Sequence, residues 1–211
     1  MVLLYPTYFP SISHFVAIVK AKAVCFEVED HFQKQTNRNR MYIYSPNGIQ
    51  LLNIPVKHSS ALHQKTKDVK IETSFNWQKQ HYKSLEAAYR SSPFFEFYED
   101  ALMPVFEKKH TYLLDLNFFT FELIFSCLQI DISYSKTEEY FHNVPHATDA
   151  RFLANGKKDH AQFESYTQVF NTRHGYINNL SILDLLFNEG RHAASYLTRQ
   201  SIGFTPTSNG C

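Results

Sequence analysis

A short apolar run, Val2–Tyr5, opens the chain and is cut off by Pro6 and Pro10, a pattern that predicts a buried strand. Beyond it, Phe15, Ile18 and Val19 fall on one face of a helix that Ser11 or Ser13 can cap. Ala23–Val28 predicts a second strand. Strand, helix and strand within about 30 residues make a βαβ unit, and so imply parallel strands. Glu29 and Asp30 then stand at the carboxyl end of the second strand, where open parallel sheets bind ligands.

The pattern changes at residues 37–44, where Asn37, Arg38, Asn39 and Arg40 lead into Met-Tyr-Ile-Tyr. Pro46-Asn47-Gly48 predicts a hairpin turn, with Ile49–Val56 as the returning strand. Strand alternation would put Arg38 and Arg40 on one face and Asn37 and Asn39 on the other. Residues 58–73 are polar and loop-like, with Val69 and Ile71 as a brief strand. Trp77–Arg90 predicts a helix capped by Asn76, with Trp77, His81, Leu85 and Ala88/Tyr89 at helical spacing; Ser91-Ser92-Pro93 stops it. Helices follow at Phe94–Lys109 and Thr120–Leu128, and a strand at Ile130–Tyr134. The stretch Glu138–Gly175 is polar and carries no period. Ser181–Glu189 is the clearest late helix, with Ser181 and Asp184 at capping-box spacing and Gly190 after its end; the tail from Ser201 reads as frayed.

Composition narrows the function classes. The 211 residues suffice for one buried core, and 44% hydrophobic with 19% charged is globular. A net charge of +1 gives no global field toward nucleic acid. Three widely spaced cysteines, Cys25, Cys127 and Cys211, form no CxxC pair and predict neither a disulfide framework nor a zinc site. Neither a signal peptide nor a long apolar span is expected, which predicts a cytoplasmic protein.

Four groups of residues can carry chemistry. Ser11-x-x-His14 at a helix start, after a strand and a Pro-containing turn, resembles the histidine motif of nucleotidylyltransferase-like folds. Helix N-terminal N–H groups favour phosphate oxygens, and a histidine there can donate to a phosphoryl oxygen as charge builds. The bland alternative is that His14 ends the cap and packs on Tyr8. Lys34 with Arg38 and Arg40 forms the second group. Two arginines about 7 Å apart on a strand face span a diphosphate; alternatively they pair with Glu29 and Asp30. Asp30 can orient an acceptor or act as base, or it pairs with an arginine; two carboxylates and His31 define no metal site. Trp77, His81 and Arg90 are the fourth group, with Trp77 read as core. Ser135-Lys136 is treated as noise. No P-loop, G-x-G-x-x-G or G-x-S-x-G occurs, and the sequence leaves any cofactor unknown.

Taken in order along the chain, four stretches resemble the WbqC-like family: Tyr5-Pro6-Thr7-Tyr8-Phe9-Pro10 through His14-Phe15; Glu29–Lys34 with Asn37–Arg40, Asn47-Gly48 and Ile54-Pro55-Val56; Asn76-Trp77 through Tyr89-Arg90 to Ser92-Pro93-Phe94-Phe95 and Tyr98; and Asn179–Gly190. Members often begin with Gln-Pro, where this chain has Tyr5-Pro6, and Ser133–Asn171 is poorly matched. The resemblance implies bacterial surface-polysaccharide assembly, a pathway more than a reaction.

The expectation is therefore a single α/β domain over 1–211. It has a parallel Rossmann-like βαβ core (nucleotidylyltransferase-like in its narrower form) and an inserted β-hairpin within 1–56. Residues 74–130 are mainly helical, and 180–200 form the helical end. The expected function is a transferase acting on a nucleotide-activated sugar or similar anionic small molecule, or a non-catalytic binding protein of the same pathway. Expected catalytic residues are His14 and Asp30. Tyr8, Lys34, Asn37, Arg38, Asn39, Arg40, His81 and Arg90 are expected at the ligand, with no metal.

Overall fold

A computed structural model describes residues 1–57 and 63–203. The expectations for 58–62 and for the tail from 204 lie outside the described residues. Val2–Leu4 forms β1, Ile12–Lys20 α1 and Val24–Phe26 β2, so the βαβ unit is present as expected. β1 pairs in parallel with β2, in register Leu3 with Cys25. Two later strands complete the sheet: β5 (Tyr134–Lys136) beside β2 and β6 (Thr148–Asp149) beside β1, both parallel. The order is β5-β2-β1-β6. Counted by appearance in the sheet, the strands run third, second, first, fourth, and the order reverses between β1 and β6.

The hairpin is a separate two-stranded sheet. β3 (Arg40–Ser45) and β4 (Gly48–Asn53) pair antiparallel, with Ser45 opposite Gly48 across the Pro46-Asn47 turn. Gly48 takes φ +94°, which only glycine adopts readily. β3 begins at Arg40, and residues 34–39 are turns and bends. Strand alternation therefore does not apply to Arg38, and the shared face expected for Arg38 and Arg40 is not formed.

Helices cover the sheet. α2 (Trp77–Tyr89) buries Trp77, His81, Leu85, Ala88 and Tyr89, the face its spacing predicts, and Asn76 Oδ1 caps it from Lys79 N–H. α3 is Phe95–Glu107, and α4 runs Leu113–Leu128, starting seven residues before the expected Thr120. Apolar residues occur nearly all round α4, and Leu113, Leu116, Phe121 and Ile124 are among those buried, which hides its period from the sequence. The strand expected at Ile130–Tyr134 begins only at Tyr134. α5 (Asn171–His174) is a single turn, α6 (Ile182–Glu189) follows its N-cap Ser181, and α7 (Ala193–Arg199) closes the described chain. The core is continuous, from Leu4, Phe15 and Phe26 through Phe121 to Leu183 and Phe187.

Asp184 departs from its expected capping role. Its carboxylate accepts from the Tyr89 hydroxyl (2.8 Å), the Tyr166 hydroxyl (2.5 Å) and Gln168 Nε2 (2.9 Å). Burial pushes its pKa above the usual carboxylate value against the pull of these three donors. The hub ties α6 to α2 and to the aperiodic stretch 163–177.

Candidate functional site

The loop from Tyr5 to Ser11 joins β1 to α1, and it is buried throughout. Backbone bonds stitch it to two other segments: Tyr8 N–H to Asn37 O at 3.0 Å, and Ile182 N–H to Pro10 O at 2.8 Å. The Ser181 hydroxyl donates to Phe9 O. The start of α1 is thereby fixed against residues 36–40 on one side and 178–182 on the other.

The first-turn donors of α1 are already used. Ile12 N–H bonds Leu180 O, and Ser13 N–H bonds Asn179 Oδ1 at 2.9 Å. Ser11 occupies the N-cap position, but its hydroxyl turns away from the helix amides. The sequence expectation that these amides would cradle a phosphate is therefore corrected: they are spent on the 179–180 segment.

A hydrogen-bonded chain of side chains takes their place. The Ser11 hydroxyl lies 3.1 Å from His14 Nδ1 and 2.8 Å from the Ser13 hydroxyl. The Ser13 hydroxyl donates to Asp159 Oδ2 at 2.5 Å, and Asn179 Nδ2 donates to the same oxygen at 2.7 Å. Asn179 holds this position in the left-handed region, at φ +55°. His14 is 1% exposed. Burial pushes its pKa down to about 4, nearby Asp159 opposes the shift, and Arg38 adds to it. His14 is thus a neutral imidazole at pH 7.

Beside this chain is a cavity of about 390 Å³, of ligand-pocket size. Ser11, Asn37, Arg40, Lys157 and Asp159 line it, with Tyr42 among its apolar walls. Two cations against one carboxylate leave the lining cationic. Among the described residues, Arg40 spends only Nε, on Asn53 Oδ1 at 3.3 Å. Asn37 is 8% exposed, and among the described residues its side chain has no hydrogen-bond partner.

Arg38 points to the other side of the same ribbon. Its Nη2 meets Asp30 Oδ2 at 2.6 Å, both side chains being closed to solvent, and its guanidinium stacks on the Tyr5 ring at 3.9 Å. Nη1 donates to Thr36 Oγ1. The shared diphosphate clamp drawn from Arg38 and Arg40 is therefore replaced by Asn37 and Arg40 on the cavity and Arg38 behind them. Among the described residues, the side-chain atoms buried without a hydrogen-bond partner include Thr7 Oγ1, His14 Nε2, Glu27 Oε2, Asp30 Oδ1, Arg38 Nε and Asn117 Oδ1. They belong to the loops after β1 and β2 and to the helices α1 and α4. Such a concentration marks a polar interior that packing alone leaves unsatisfied.

The other expected residues lie elsewhere or brace the frame. Tyr8 and His81 pair at 3.1 Å. His81 Nε2 faces Asn53 O, which only accepts, so this nitrogen carries the proton and Nδ1 accepts from the Tyr8 hydroxyl. Burial pushes His81 down to about 4. Asn39 Nδ2 donates to Asn53 Oδ1 and Ile54 O, holding the hairpin. Lys34 is exposed, and Arg90 is taken up by Glu86 and Glu99 on the surface. Glu29 faces Lys65 and Lys67 at 2.5 and 2.6 Å, and those lysines hold its carboxyl below the usual range. Among the described residues, no group of three or more histidine, cysteine or carboxylate side chains could hold a metal, and no helix is long and apolar enough to cross a membrane. Sequence reasoning missed Ser13, Lys157, Asp159 and Asn179. The adjacent amides Asn178-Asn179 just before a helix cap were the one visible signal; nothing in the aperiodic stretch singled out Asp159.

The chain is similar to the uncharacterized protein Rv1507c of Mycobacterium tuberculosis (strain ATCC 25618 / H37Rv). The two are 27% identical over 196 residues, covering 79% of this chain and 83% of the relative. No solved structure matches. The sequence pattern of the WbqC-like protein family matches residues 5–162, which take in α1 and β2 of the βαβ unit, the hairpin, and Asp159. The chain belongs to the WbqC-like protein family.

Proposed function

We propose that the cavity binds the phosphate-bearing part of a nucleotide-activated sugar, and that the protein transfers a group from or to that sugar in bacterial surface-polysaccharide assembly. One observation carries the ligand class: Arg40 and Lys157 line one cavity with the nearly buried carboxamide of Asn37, which has no hydrogen-bond partner among the described residues. Cations suit phosphate oxygens, and a carboxamide suits sugar hydroxyls. The sheet supports it, because its strand order reverses beside β1, and the loop leaving β1 leads to the cavity. Parallel sheets bind nucleotides at such a reversal. The pathway rests on the family resemblance alone.

A second reading, a binding protein without turnover, is favoured by the closure of His14, whose Nε2 no solvent reaches. Thermal unfolding with UDP-glucose, GDP-mannose and dTDP-glucose tests the ligand class. Saturation at about 100 times Kd stabilises by about 2.7 kcal/mol, so at least one should raise the melting temperature by several degrees. No shift with any of the three, nor with UDP or GDP alone, would sink the proposal. A shift without product release in the presence of sugar acceptors would select the second reading.

A further inference from the structure

The side-chain chain beside the cavity has a direction, and that direction assigns roles. A carboxylate only accepts, so the Ser13 hydroxyl spends its single proton on Asp159 Oδ2. Ser13 must then accept from Ser11, whose own proton is spent in that bond. Ser11 in turn can only accept from His14, which therefore carries its proton on Nδ1 and leaves Nε2 bare. The order His14 to Ser11 to Ser13 to Asp159 follows from proton counting alone. It also removes Ser11 as a histidine-activated nucleophile, because His14 donates to it rather than taking its proton.

The cavity end of this chain is Asp159. Oδ2 is filled by Ser13 and Asn179, whereas Oδ1 accepts only Ala161 N–H at 3.2 Å. One lone pair of Oδ1 is thus uncommitted among the described residues, on a carboxylate that three donors hold in a single orientation. Arg40 and Lys157 line the same cavity.

We propose that Asp159 is the catalytic base of the site, and that Ser13, Ser11 and His14 are positioning residues that hold it; this rests on the nucleotide-sugar reading of the cavity. The acceptor is a hydroxyl or amine of a second sugar. Its proton passes to Asp159, and its oxygen or nitrogen bonds the anomeric carbon. The bond from that carbon to the phosphate oxygen breaks, and the departing nucleoside diphosphate keeps the electron pair. Arg40 and Lys157 stabilise the added negative charge.

Two measurements on the full chain test this separately from the ligand class. A two-bond proton–nitrogen correlation spectrum with isotope-labelled histidine should show His14 as the Nδ1–H tautomer at neutral pH. Ser13→Ala should let Ser11 donate to Nδ1 and bring up the Nε2–H form. A wild-type Nε2–H signal, or a Ser13→Ala spectrum superimposable on wild type, overturns the chain. Asp159→Asn should bind the nucleotide-sugar that stabilises the wild type within about threefold. Its turnover, read as nucleoside diphosphate release with monosaccharide and amino-sugar acceptors, should fall about 100-fold or more in kcat with little change in KM. Wild-type turnover in Asp159→Asn overturns the base. Should none of UDP-glucose, GDP-mannose and dTDP-glucose bind the wild type, the base assignment falls with the cavity reading, and the tautomer spectrum still decides the chain.

Discussion

Asp30 and Arg38 meet at 2.6 Å with both side chains closed to solvent, next to the turn at Asn37 and Arg38. The pair holds two charges in the interior between the ends of β2 and β3, with Asn117 Nδ2 on the Arg38 carbonyl at 2.8 Å. A buried pair need not add net stability, but breaking it strands a charge.

Asp30→Ala should therefore destabilise the fold by about 3–5 kcal/mol, read as a drop in denaturant midpoint. Asp30→Ala with Arg38→Met should recover part of that loss, because neither charge is then stranded. A single variant as stable as the wild type would show that solvent reaches the pair.

Acid sensitivity follows from two imidazoles. His14 and His81 are both pushed from 6.5 to about 4 by burial. Between those values the unfolded chain binds protons that the folded chain refuses, so stability falls as pH drops below about 6.5 and the loss is complete near 4. Each can contribute up to about 3 kcal/mol. Urea unfolding across this range should show the decline, and His81→Gln should flatten part of it.

Gly190 follows α6 at φ +54°, and a Cβ there would lie 2.7 Å from the Phe94 ring. Both the backbone and the ring oppose a side chain. Gly190→Ala should cost about 2–3 kcal/mol. Thermal melting reads this directly, and an unchanged melting temperature would contradict the close approach.

Much of the frame is legible in the sequence because each piece is local. Pro6 and Pro10 bound the first loop, Asn47-Gly48 shapes the hairpin, and Trp77, His81, Leu85 and Ala88 repeat at helical spacing. Arg38 was misread because alternation assumes extended backbone, and residues 34–39 turn instead. Lys157 and Asp159 were invisible for a different reason. They stand in an aperiodic segment whose order comes from distant partners, Ser13 and Asn179 for Asp159, and no local pattern encodes contacts 146 or 20 residues apart. Asp184 illustrates the same limit: its spacing fits a cap, while its partners Tyr89 and Tyr166 come from elsewhere in the chain.

The proposed phosphate binding at the cavity is tested most directly by calorimetric titration, into the wild type, Arg40→Ala and Lys157→Ala, of whichever of UDP-glucose, GDP-mannose and dTDP-glucose stabilises the wild type. Arg40 is half-buried and Lys157 exposed, so neither variant should lower the melting temperature by more than a few degrees. The expected result is saturable binding to the wild type, weakened about tenfold or more by either substitution, as the loss of one charged hydrogen bond to phosphate requires. Wild-type affinity retained in both variants would contradict the account.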